Sequence, residues 1–239
     1  MNVLPPNAHI FFLCDKSNEE CRYNHLRRQI SQVKMPTDKY EFFTHIWGNQ
    51  ITQTIRDKYC KSDFTMQMHN RNIKTKPLTN GEISLFFNHI ECLRKIRSEY
   101  TDGLFFIFES DVIFQNNFSE NINNICTELN GIGEWDVINV GEGTREYLKR
   151  FGHPKSLPIK KNTFTFYNEN IHSCAEGLLW NYNSICKFLS YFEQTEDIDG
   201  PIDTKMDVYC EIGDFKIIWA YPTLVYQGSI SGLYNSSLR

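Results

Sequence analysis

Gly103-Leu104-Phe105-Phe106-Ile107-Phe108 runs straight into Glu109-Ser110-Asp111. A strand with one wet face alternates apolar and polar residues, so an uninterrupted apolar run of this length reads as a central strand covered on both faces. It ends abruptly in two carboxylates. Acids at the end of a buried strand are costly to desolvate without a partner, and open α/β sheets bind ligands in the crevice beyond the carboxyl ends of their strands. Oxygen-rich sites suit Mg²⁺ or Mn²⁺. With one residue between them, Glu109 and Asp111 can reach one cation or its waters, and such a cation can bridge a diphosphate and offset its charge. The plainer reading, a strand-end turn whose acids cap a helix, stands beside the metal reading.

Upstream, Ala8 to Cys14 (AHIFFLC) reads as a buried first strand. Ser17 and Glu20 have the spacing of a capping box. The helix expected after them carries Tyr23, Leu26, Ile30 and Val33 near helical spacing. Tyr40 to Trp47 (YEFFTHIW) reads as a second strand, which makes a β-α-β opening to a parallel sheet. Lys61 to Lys76 is polar and poorly periodic and reads as a long loop. Thr79 and Glu82 form a second capping-box pair, ahead of an apolar face of Ile83, Phe86, Phe87, Ile90, Leu93 and Ile96. Downstream, strands are expected at Trp135 to Val140, Thr163 to Tyr167 (an edge), Phe215 to Trp219 and Thr223 to Tyr226, with a helix around Asn181 to Phe192.

The 239 residues, 41% hydrophobic, suffice for one α/β domain with a sizeable core. A net charge of −4 argues against a nucleic-acid partner. Arg145, Lys149, Arg150, Lys155, Lys160 and Lys161 form a modest basic cluster, read as a solvated loop or as a loop that meets phosphates. No apolar run approaches a membrane span. Met1 to Asn7 lacks the basic-then-apolar pattern of a signal peptide, so a cytoplasmic or otherwise intracellular location is expected. Eight scattered cysteines with no CxxC pair read as free thiols, not as a zinc site.

Leu78-Thr79-Asn80-Gly81-Glu82-Ile83-Ser84-Leu85-Phe86-Phe87-Asn88-His89 resembles the "LTxGEIGCxLSH" signature of family 25 glycosyltransferases, the lipooligosaccharide and collagen galactosyltransferase relatives. Phe106-Ile107-Phe108-Glu109-Ser110-Asp111 resembles their strand ending in Glu-Asp-Asp, and the gap between the two motifs also fits. Weaker similarities extend over nearly the whole chain. They are Trp135-Asp136, Pro201-Ile202-Asp203 (a "PVD" element) and Tyr221-Pro222-Thr223-Leu224-Val225-Tyr226-Gln227 (a "P-x-L-x-x-Q" element). The chain departs from the pattern at Ser110, which replaces the middle acid, and at Ser84 and Asn88, which replace a Gly and a Ser.

The resemblance implies a GT-A type α/β fold, with a Rossmann-like, mostly parallel central sheet flanked by helices. One glycosyltransferase domain would span 1–239, with a nucleotide-sugar half over about 1–115 and an acceptor half over about 116–239. It implies Mn²⁺ (or Mg²⁺), a UDP-sugar donor carrying galactose or glucose, and inverting transfer to a glycan, a lipid-linked sugar or a hydroxylysine-type protein acceptor. Asp111 and Glu109 are the expected metal ligands. Asp15, after the first strand, and Arg22, a turn into the first helix, are expected at the donor base, ribose or diphosphate, with surface ion pairing as the alternative. Glu82 would line the donor pocket or cap its helix, and His89, on the same side, would line the pocket or pack. Gln227 would contact diphosphate or metal, or serve as a plain strand-end amide. Inversion requires a base to take the acceptor proton. Asp203, Glu176 and Asp207 are the candidates, Asp203 first because its motif matches. Trp47, Trp180 and Trp219 are read as core residues that could instead stack on a sugar. The competing function is a non-catalytic sugar-nucleotide or glycan-binding module descended from such enzymes, suggested by Ser110.

Overall fold

The computed structural model of the chain describes residues 4–61, 65–68, 71–74, 77–142, 157–168 and 174–235. Strands β1 (Ala8–Leu13), β2 (Tyr40–Phe43), β5 (Leu104–Glu109), β7 (Val137–Asn139), β8 (Ile159–Lys160), β9 (Thr165–Asn168), β10 (Gly177–Asn181) and β11 (Ile217–Tyr221) form one sheet. Its order is β2-β1-β5-β10-β7-β11-β9-β8. Six strands share one direction, and β10 and β9 run against them. This is the mostly parallel α/β sheet expected from the sequence, with two reversed strands inserted.

The sheet is buried on both faces because its strands are apolar at consecutive positions. Phe105 and Ile107 point into one core with Phe11, Trp180 and Trp219, beneath helices α3 (Asn80–Glu99), α5 (Tyr182–Thr195) and α6 (Ile202–Ile212). Phe106 and Phe108 point into the other with Ile10, Phe12 and Ile138, beneath α1 (Glu20–Gln32) and α4 (Phe118–Glu128). Trp180 and Trp219 are therefore core residues, as read. Thr79 and Glu82 cap α3 reciprocally: the Glu82 amide donates to Thr79 Oγ1 at 3.2 Å and the Thr79 amide to Glu82 Oε2 at 2.7 Å. None of the eight cysteines is in a disulfide.

Several expectations fail locally. The Ser17–Glu20 capping box does not form: α1 starts at Glu20 behind Glu19, and the Asp15 carboxylate takes the amides of Ser17 (2.7 Å) and Asn18 (3.0 Å). Asp15 lies nearer those amides and closes the turn first. The segment read as a loop over 61–76 holds an antiparallel pair, β3 (Thr65–Met68) and β4 (Arg71–Lys74). β9 is covered by β8 and is not the edge. Strand β10, at the centre of the sheet, and helices α2 (Gln53–Tyr59), α4 and α6 were not anticipated as elements. Of the basic cluster, Arg145, Lys149, Arg150 and Lys155 lie outside the described residues, and Lys161 donates to the Asn130 carbonyl at 2.6 Å. The sheet runs unbroken across residue 115, since β5 pairs directly with β10. No helix among the described residues is long and apolar enough to cross a membrane.

Candidate functional site

Register places the strand-end acids. Leu13 of β1 is level with Phe43 of β2 and with Glu109 of β5, so all three strands stop along one line. The chain beyond that line forms the floor and walls of a cleft of about 330 Å³. Four of the expected site residues converge there: Arg22, Glu109, Asp111 and Gln227. Gln227 arrives from the far end of the chain because β12 (Val225–Gln227) pairs antiparallel with β6 (Val112–Phe114), setting Gln227 opposite Val112 and next to Asp111.

Asp111 is only 4% exposed. Its Oδ2 accepts the Ser229 amide at 3.2 Å and its carbonyl accepts the Gly228 amide at 2.8 Å. The C-terminal segment that supplies these amides continues over the site, where Tyr234 stacks over the Arg22 guanidinium at 5.5 Å and the Asn235 carbonyl accepts from Arg22. Glu109 turns inward, with Oε1 3.8 Å from His89 Nε2. Burial, then the charges of Asp111 and Asp203, push the Glu109 carboxyl well above the ordinary carboxylate range. Burial holds His89 down at about 3, so the ring is neutral and packs in the interior.

Ser110, at the position of the missing acid, donates its hydroxyl to Glu19 Oε1 at 2.6 Å, and Arg22 donates to both Glu19 (2.8 Å) and Ser110 (2.9 Å). Glu19 lines the cleft and is 8% exposed. It was not among the residues anticipated from sequence. Its only local signal was a carboxylate one helical turn before Arg22, and that spacing is common on helix surfaces.

The opposite wall is the N-terminus of α3, where Asn80, Gly81, Ser84 and Asn88 line the cleft with Trp47 and Gly48. Ser84 and Asn88, the departures from the motif, have a shared task. Asn88 Oδ1 accepts the amides of His45 (2.6 Å) and Ile46 (3.4 Å), while Ser84 Oγ (2.8 Å) and Asn88 Nδ2 (2.9 Å) donate to the Ile46 carbonyl. They clamp the loop after β2 onto the helix and so bring Trp47 to the cleft instead of the core.

The other anticipated residues lie elsewhere. Asp15 lines an adjoining groove with Tyr23, Phe42 and His45. Three hydrogen bonds, from the Asn18 side chain and the Asn18 and Ser17 amides, hold its carboxyl below the ordinary range against the opposing effect of partial burial. Glu82 is taken up by the helix cap. Glu176 is buried at 1% exposure against Gly141. Asp203 accepts the amides of Cys174 (3.2 Å) and Thr204 (2.8 Å), and Asp207 is buried on the same helix, α6. None of these five lines the main cleft. Asp203 comes nearest in effect, since its charge is felt at both Glu109 and His89. Among the described residues, no three His, Cys, Asp or Glu side chains are grouped to cage a metal.

The family model described as glycosyltransferase family 25 (LPS biosynthesis protein) matches residues 11–206. No curated protein matches the chain. Among solved structures, the apo-form glycosyltransferase GlyE of Streptococcus pneumoniae TIGR4 is similar at 13% identity with a TM-score of 0.38, over 89% of this chain and 45% of that one. The chain thus spans less than half the length of that structure.

Proposed function

The chain belongs to glycosyltransferase family 25, and from that premise we propose that it is a metal-dependent, inverting hexosyltransferase. In this reading it moves galactose or glucose from a UDP-sugar to a hydroxyl of a glycan, a lipid-linked sugar or a hydroxylysine-type protein acceptor. The observation that carries the reading is the cleft at the ends of β1 and β5, where Asp111, Glu109, Arg22 and Gln227 meet the N-terminus of α3. The unpaired amides and dipole of a helix N-terminus favour an anion. The floor opposite is acidic. A diphosphate between the two needs a positive partner on the acidic side.

Mg²⁺ and Mn²⁺ are commonly held by one or two carboxylates with substrate phosphates and water, without an all-protein cage. Asp111, with Glu109 behind it, fits that arrangement. The ion when bound supplies charge neutralisation for the departing diphosphate. A nearby cation also favours the charged form of Glu109, whose carboxyl burial otherwise pushes well above the ordinary range. Arg22 carries a fixed positive charge at the same wall, and Trp47 offers a flat apolar face at the rim. For the base that takes the acceptor proton we keep Asp203, because its Pro201-Ile202-Asp203 element resembles the family's "PVD" element.

The test is release of UDP from a panel of UDP-sugars, with Mn²⁺ and with chelator, beside Asp111→Asn. Release that needs both metal and Asp111 supports the transferase reading and names the donor. A folded Asp111→Asn with full activity refutes the metal role.

A second reading, a sugar-nucleotide or glycan-binding module without turnover, is favoured by one observation: the Ser110 hydroxyl is bound to Glu19 and Arg22 where the motif has an acid. Binding of UDP that ignores chelator, with no turnover on any acceptor, would select it.

A further inference from the structure

Glu19 lines one cavity and, through the Asp15 amide that donates to its Oε2, touches a residue that lines a second. The first is the main cleft, with Asp111 on its floor. The second is the adjoining groove of Cys14, Asp15, Tyr23 and Phe42. The two meet at the end of β1, where Leu13 lines the first and Cys14 the second. A nucleoside diphosphate is linear in its chemistry: base, ribose, diphosphate. With the diphosphate at Asp111 and the base in the groove beside the Tyr23 and Phe42 rings, the ribose falls at Glu19.

The chemistry of Glu19 suits a diol and not a metal. Its Oε1 already accepts Ser110 Oγ at 2.6 Å and Arg22 at 2.8 Å, and its Oε2 accepts the Asp15 amide at a long 3.3 Å. A carboxylate has about four acceptor positions, so capacity remains. The adjacent guanidinium repels a divalent cation but leaves a hydroxyl acceptor intact. Arg22 and Ser110 fix the carboxylate in place, so accepting a ligand hydroxyl costs little further ordering.

Resting on the nucleotide-sugar reading above, we propose that Glu19 is the ribose-recognition residue of the donor site: its carboxylate, positioned by Ser110 and Arg22, accepts the vicinal hydroxyls and makes the protein discriminate against deoxyribose donors. The acid that the strand-end motif lacks at Ser110 is thereby supplied from the start of α1.

Calorimetric titration of UDP, 2′-deoxyUDP and 3′-deoxyUDP tests this on the full chain. The wild type is expected to favour UDP over at least one deoxy analogue by about tenfold or more, the scale of one hydrogen bond to a charged group. In Glu19→Gln the preference falls to about twofold or less, whereas a merely structural role would weaken all three nucleotides alike. In Glu19→Gln/Ser110→Asp, which moves the charge by about one hydrogen-bond length, the preference returns. Equal binding of all three nucleotides to the wild type, or an unchanged preference in Glu19→Gln, overturns the Glu19 role and leaves the donor reading standing. Failure of the wild type to bind UDP at all overturns both.

Discussion

His89 and Glu109 face each other at the junction of α3 and β5, with Nε2 3.8 Å from Oε1, and burial drives each toward its neutral form. The contact is consequently no ion pair. Neither ring nitrogen of His89 finds a hydrogen-bond partner among the described residues. Moving toward neutrality lowers the cost of burying the two groups together.

The pair gives opposite pH dependences. His89 titrates near 3 in the fold against an ordinary 6.5, so the unfolded chain takes up a proton that the native chain refuses, and stability is lost as pH falls below about 6.5. Glu109 is raised above its ordinary 4.5, so its native proton is retained where the unfolded chain has lost it, and stability falls as pH rises above 4.5. In chelated buffer, Glu109→Gln should raise the melting temperature at pH 7–8 by roughly 2–4 °C, the shift for about 1 kcal/mol in a domain of this size. His89→Leu should make the acid limb shallower by up to about 1.4 kcal/mol per pH unit, one proton's worth. Parallel curves for wild type and both variants would refute the assignment.

Asp203→Asn should lower turnover by about a hundredfold or more, the usual contribution of a positioned base, while UDP affinity changes less than about threefold. Loss of UDP affinity with turnover per bound donor unchanged would show that Asp203 holds structure through its bonds to the Cys174 and Thr204 amides. Glu176→Gln and Asp207→Asn are the comparison variants.

Asn88→Ala removes the acceptor for the His45 and Ile46 amides and one of the two donors to the Ile46 carbonyl, leaving Ser84 Oγ. These amides are only partly buried and water can reach them, so the variant should lose about 1 kcal/mol in denaturant titration, the net contribution of ordinary hydrogen bonds. Because the clamped loop presents Trp47 and Gly48 to the cleft, the donor KM should rise in step. A destabilised protein with an unchanged KM would separate the clamp from the site.

The features readable from the chain were those whose cause is local. Phe105 to Phe108 are apolar at every position, which suffices for a strand buried on both faces, and Thr79 with Glu82 satisfy each other's amides within one helical turn. The motif around Glu109 and Asp111 likewise needed only its place at a strand end. Local reasoning failed where two nearby groups compete, as when Asp15 and not Ser17 captured the turn before α1. It also failed at β10, whose GLLWN is too short for its period to separate a strand from a helix start. Tertiary structure alone decided which distant groups meet. Sheet order put β10 beside β5, the β12–β6 pairing carried Gln227 to Asp111, and the packing of α1 brought Glu19 to Ser110, 91 positions away. Such partners are set by strand order and register across the whole sheet, and no window of sequence contains both.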